Sequence, residues 1–145
     1  MNLNIPALEA SFDHIAARGD ELMDVFYERL FTVAPTTRAL FAGTDLRRQK
    51  GMLLAALVLL RRSLHDLDSV VPRLRDLGAR HVQYGAEPEH YPLVGEVLIS
   101  SMAQVAGEVW TIEHELAWTE AFAVVSNAML EGARSAHPVA QPVGV

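Results

Sequence analysis

Apolar residues recur along this chain every three or four positions, the spacing of one face of a helix. Leu8, Phe12 and Ile15 mark a first helix over about 5–17, ending near Gly19. Met23, Tyr27, Leu30 and Phe31 mark a second over about 20–33, with Asp20 as its N-cap and Pro35 just past its end. PTTRALF, 35–41, predicts a short helical turn closing on Phe41, and Asp45 can cap a long helix over about 46–64. After the connector HDLDS, Val71, Leu74, Leu77 and then His81 share a face over 69–83. The next helix opens at AEPEHYP, where prolines fit only in the first turn. It runs to about 107, with Tyr91, Val94, Leu98, Met102, Val105 and Val109 at helical spacing and Gly107 as its stop. Thr111 caps a last helix to about 133, whose inward stripe is Trp118, Phe122, Val125 and Met129. No stretch alternates with period two, so the fold class is all-α, with about seven helices.

Composition narrows the possibilities. A chain of 145 residues, 50% hydrophobic, is long enough for one domain with a real core. The domain spans 1–133, and RSAHPVAQPVGV, 134–145, reads as a flexible tail. The absence of cysteine removes disulfides, thiolate metal sites and a cysteine nucleophile, and fits a cytoplasmic location. A net charge of −6 argues against nucleic acid, whose recognition begins with a basic footprint. MNLNIPALEASFDH has neither the positive flank nor the apolar run of a signal peptide. MLLAALVLL, 52–60, is the longest apolar run. It is too short for a bilayer, so no membrane partner is expected; it predicts a helix buried on nearly all sides.

His81 is the residue that breaks the pattern, because it stands where the stripe asks for an apolar side chain. A buried polar group needs a partner. A core histidine bonded to a carbonyl and a metal ligand both satisfy that need. No HxxxH pair, HExxH or carboxylate cluster stands near it, so the three protein ligands of a zinc site are not apparent. One axial imidazole over an apolar pocket is what haem iron asks of a protein.

HVQYGAEPEHYPLVGEVL resembles the segment carrying the proximal histidine in bacterial haemoglobins of the flavohaemoglobin type, a family that includes single-domain globins. FYERLF at 26–31, RALF at 38–41 and the tryptophan of AWTEAF at 117–122 match in the same order, so the likeness covers nearly all of 5–133. It implies a three-over-three globin fold enclosing haem b. His81 would be the proximal iron ligand, with Leu77 pressing on the same haem face and Phe41 stacking on the ring. Tyr27 would be the distal donor to a gas held over the iron, and Gln49 the distal glutamine. Leu53 would set the room over the iron, and Tyr91 and Val94 of the HYPLVG segment would complete the cofactor site.

Two registers stay open. The loop from Phe41 to Gln49 is one residue longer than in relatives, so Gln49 is either distal or a surface residue among charges. The family's tyrosine in HYPxVG is bonded to a glutamate of the last helix. Counting from Trp118, that position falls near Ala133, and the nearest acid, Glu131, points roughly 200° away. Arg47, Lys50 and Arg80 either neutralise haem propionates or are solvated helix surface. The spare histidines, His14, His65, His90, His114 and His137, read as surface or capping residues, and none stands at the distal position.

The resemblance implies reversible binding of O2, NO and CO at ferrous iron, for oxygen transport or for NO dioxygenation. The residues contain no GxGxxG-type loop for a flavin or nicotinamide domain, so the second role expects an external reductase. The alternatives are a haem-based gas sensor or ligand-responsive interaction domain, and a haem-free helical interaction module.

Overall fold

Asn4 opens the first helix by accepting a hydrogen bond from the Ala7 amide at 3.2 Å, and Pro6 sits in the first turn, where its missing N–H costs nothing. From there the computed structural model describes residues 3–136. Its α-helices are α1 (Ile5–Ala16), α2 (Gly19–Val33), α3 (Leu46–Arg62), α4 (Val71–Gln83), α5 (His90–Ala106) and α6 (Ile112–Ala136). Short 3₁₀ turns cover Pro35–Phe41, Leu67–Ser69 and Gly107–Val109, and no strand occurs among the described residues. α2, α5 and α6 form one layer, and α1, α3 and α4 lie across it. The centre is sealed by Leu8, Ile15, Leu22, Met23, Leu98, Met102 and Trp118.

The ends of the helices follow from local chemistry. Asp45 caps α3, accepting from the amides of Arg47 at 3.1 Å and Arg48 at 3.4 Å. Thr111 and His114 cap α6 reciprocally: the Thr111 hydroxyl accepts from the His114 amide, and the His114 ring accepts from the Thr111 amide. His90 does the same for the Glu87 amide before α5, at 2.9 Å.

Several expectations need correction. Asp20 is not the N-cap of α2. The helix starts at Gly19, and Arg18 precedes it with its guanidinium bonded to the Val105 carbonyl and to Glu21. Gly19 is where α2 meets α3, since a Cβ there would come within 2.9 Å of Leu54. Val109 leaves the α5 stripe because Gly107, at φ +65°, ends the helix and turns the chain; Val109 is 45% exposed. MLLAALVLL is not buried all round. Leu57 and Leu60 are buried, whereas Met52 is 56% exposed and Ala55, Ala56 and Leu59 are also open. The cause is packing on one side only: α3 lies on α1 and α2 and makes few direct contacts with α4. The last helix continues to Ala136, three residues past its expected end. The rest of the expected tail, 137–145, with His137, lies outside the described residues.

Candidate functional site

His81 stands in the last turn of α4, half-buried, with its Nδ1 2.7 Å from the Leu77 carbonyl one turn back. A carbonyl only accepts, so Nδ1 carries the hydrogen and donates it, leaving Nε2 with a free lone pair. Burial pulls the His81 pKa below its ordinary value, the Leu77 bond opposes that, and Arg80 adds to the drop. The ring is therefore neutral near pH 7, the form in which imidazole binds a metal. Tyr84 packs against it edge to face at 5.4 Å. No group of three or more histidines and carboxylates that could hold a metal ion exists among the described residues.

Tyr27, on α2, is only 3% exposed and sits in an aromatic cluster, 4.8 Å from Phe26 and 5.7 Å from Phe41 between ring centres. Burial pushes its phenol above the usual range, and the neighbouring Gln49 side chain draws it partly back. Tyr27 and Gln49 thus meet between α2 and α3. Gln49 is half-buried while Arg47 and Arg48 point outward, which favours its inward register. In the loop before α3 the Thr44 amide donates to the Phe41 carbonyl at 3.0 Å.

The apolar candidates are half-buried and none is sealed. Phe41, Leu53 and Val94 pack against the edge of the core. Leu77 lines a cleft of about 240 Å³ between α3 and α4, together with Ala56, Leu59, Leu60, Leu74 and Arg80. A second cleft of about 570 Å³ is lined by Phe31, Arg38, Phe41 and Leu46. Neither lining includes His81 or Tyr27. Tyr91 is half-buried, burial raises its pKa, and no described side chain bonds its hydroxyl. Glu131 turns away to the surface and pairs with Arg75 at 2.8 Å, while Ala133 is buried. Lys50 pairs with Asp24 at 3.0 Å, and Arg47 and Arg80 are exposed.

Sequence reasoning missed two features. The Arg38 guanidinium lies over the Phe31 ring at 4.5 Å, and no spacing rule announces it. Gly78 and Gly132 let α4 and α6 touch backbone to backbone. A glycine inside LGARH, at mid-helix, was the available signal.

The comparisons with known proteins agree with this architecture. Residues 24–129 match the globin family model. The chain is 26% identical to a flavohemoprotein of Bacillus subtilis over 131 residues, which is 89% of this chain and 33% of that protein. It is 29% identical over 117 residues to a flavohemoprotein of Rhizobium meliloti, covering 79% of this chain and 29% of that one. The chain thus spans about a third of the length of these relatives. Among solved structures it is similar to an engineered carbene transferase from a putative nitric oxide dioxygenase of Rhodothermus marinus. There the TM-score is 0.84 at 25% identity, covering 93% of this chain and 94% of the other. A bacterial globin of Campylobacter jejuni shares the fold, with TM-score 0.80 at 18% identity over 92% of this chain and 96% of that one. With the family model matched over more than two-thirds of its length, the chain belongs to the globin family.

Proposed function

We propose that this globin binds haem b with His81 as the proximal iron ligand, takes up O2, NO and CO reversibly, and supports NO dioxygenation with a separate reductase. The observation that carries the reading is the His81 ring. Its Nδ1–H is held by the Leu77 carbonyl, no bond to its Nε2 occurs among the described residues, and the ring is half-buried rather than sealed in the core. That donor set fits a group that brings four nitrogens of its own and needs one imidazole.

Bound here, haem would supply an iron that holds diatomic gases and the chemistry that combines NO with O2 and one electron to give nitrate. The side chains do the rest. The Tyr27 phenol, kept protonated by burial, is a fixed donor toward the partial negative charge of a gas ligand. Gln49 orients that phenol. Phe41, Leu53, Leu77 and Val94 exclude water and wedge the ring. On the proximal side no carboxylate among the described residues backs the His81 ring: Ala133 stands where the family's glutamate is expected, Glu131 is engaged by Arg75, and no described side chain bonds the Tyr91 hydroxyl. The imidazole stays an ordinary neutral donor, which favours gas binding and NO chemistry over peroxidase-like O–O cleavage.

The test is stopped-flow mixing of the reduced, air-equilibrated, haem-reconstituted protein with NO. The expected result is one nitrate per haem, formed in a fast phase, followed by slow re-reduction unless a reductase is added. Gas binding with no reaction toward NO would overturn the dioxygenase role and leave oxygen carriage.

A further inference from the structure

The helix that carries His81 meets the last helix at two glycines. A Cβ on Gly78 would stand 1.8 Å from the Met129 carbonyl oxygen, and one on Gly132 would stand 1.9 Å from the Arg75 carbonyl oxygen. Both obstacles are backbone, so no change of rotamer relieves them; any larger residue must part the helices. Glycine is a poor choice inside a helix, and both positions are fully buried, so the close approach is what these residues provide. The peptide nitrogen of Gly78 is joined to the Leu77 carbonyl, the group that accepts the His81 Nδ1–H at 2.7 Å. The α6 backbone therefore bears on the same peptide unit that orients the imidazole. Gly132 makes its contact at Arg75, two residues before Leu77 and nearly two turns before His81. The Arg75–Glu131 ion pair flanks the crossing, with both side chains about half exposed.

We propose that Gly78 and Gly132 are positioning residues for the haem ligand: they seat α4 directly on the α6 backbone and so fix the depth and tilt of His81. The proposal rests on the haem reading above. It assigns the crossing a role beyond holding two helices together, because α4 has its extensive packing on α6 and little on α3. Lifting α4 from α6 carries the Leu77 carbonyl and His81 with it.

The experiment compares Gly78→Ala, Gly132→Ala and Glu131→Gln as reduced, haem-loaded proteins, reading the iron–histidine stretching frequency, the haem-loss rate and Tm. Both glycine variants should lower Tm. Gly78→Ala should shift the stretching frequency and speed haem loss about ten- to a hundredfold, the range typical of disturbing a group that orients a metal ligand. Gly132→Ala should shift the frequency less, and Glu131→Gln should leave it unmoved. Lower Tm with an unmoved frequency in both glycine variants would reduce the crossing to packing and overturn the proposal. If Gly78→Ala does not fold, the frequency in Gly132→Ala decides alone. Hydrogen exchange on the unaltered protein needs no variant: amides 78–82 should exchange as slowly as 129–132, and exchange at the rate of the exposed turns would contradict a seated helix. Failure of the haem reading shows separately, as wild-type protein that takes up no haem. Even then, ¹⁵N NMR of the haem-free protein reads the Nδ1–H form of His81, which Gly78→Ala should depopulate.

Discussion

At the scale of single residues, the proposed role of His81 turns on which of its nitrogens carries hydrogen. The Leu77 carbonyl settles that question in favour of Nδ1, and the free Nε2 is what makes the residue usable as a ligand. His81→Gly should lose haem or its imidazole-type spectrum, and added imidazole should restore the spectrum. Tyr27→Phe keeps the ring contacts with Phe26, Phe31 and Phe41 and removes only the donor. It should retain haem and raise the oxygen dissociation rate by about tenfold or more, the kinetic equivalent of one buried hydrogen bond to a charged acceptor. An unmoved rate would take Tyr27 out of the distal side. His81 was legible because one polar residue interrupts an apolar stripe. The turned-away position of Glu131 was legible from helix arithmetic alone. The approach of Gln49 to Tyr27 was not, because it depends on the path of the loop before α3, and periodicity says nothing about loops.

At the scale of helices, the stripes located all six α-helices of the described residues but not the short turns at Leu67–Ser69 and Gly107–Val109, and errors gathered where tertiary contacts outweigh local preference. MLLAALVLL reads as buried because apolar residues occupy all its sides. Burial also needs neighbours on all sides, and α3 has them only on the side of α1 and α2. Asp20 lost the cap position to a start fixed by the Arg18–Val105 bond. One tie between helices is sharp enough to test. The Trp118 indole N–H donates to the Ser11 hydroxyl at 2.8 Å, joining α6 to α1, and that hydroxyl in turn donates to the Ala7 carbonyl at 2.7 Å. Ser11→Ala leaves the indole N–H buried without an acceptor and should cost about 1–3 kcal/mol of stability by denaturant unfolding. A loss near zero would mean that water or another acceptor replaces the serine.

At the scale of the whole molecule, the two-layer architecture leaves α3 and α4 apart, with the helix bearing His81 anchored on α6. The partial burial of His81 ties stability to pH. The His81 pKa is lower folded than unfolded, so between the two values the unfolded chain binds a proton that the folded chain does not. Its contribution is present in full above the unfolded value of about 6.5 and is lost as pH falls through it toward the lower folded value. Thermal melts of the haem-free protein from pH 8 to 5 should fall more steeply for the wild type than for His81→Gln. Equal slopes would contradict the burial of that ring. The central claim is that His81 holds haem in a gas-accessible site. Its most direct test is the absorption spectrum of the haem-reconstituted protein, oxidised, reduced, then under CO and under air, beside His81→Ala. The account predicts an intense Soret band that shifts with CO, an oxygenated form that persists in air, and loss of both in the variant. A wild-type chain that takes up no haem, or a variant with an unchanged spectrum, would contradict it.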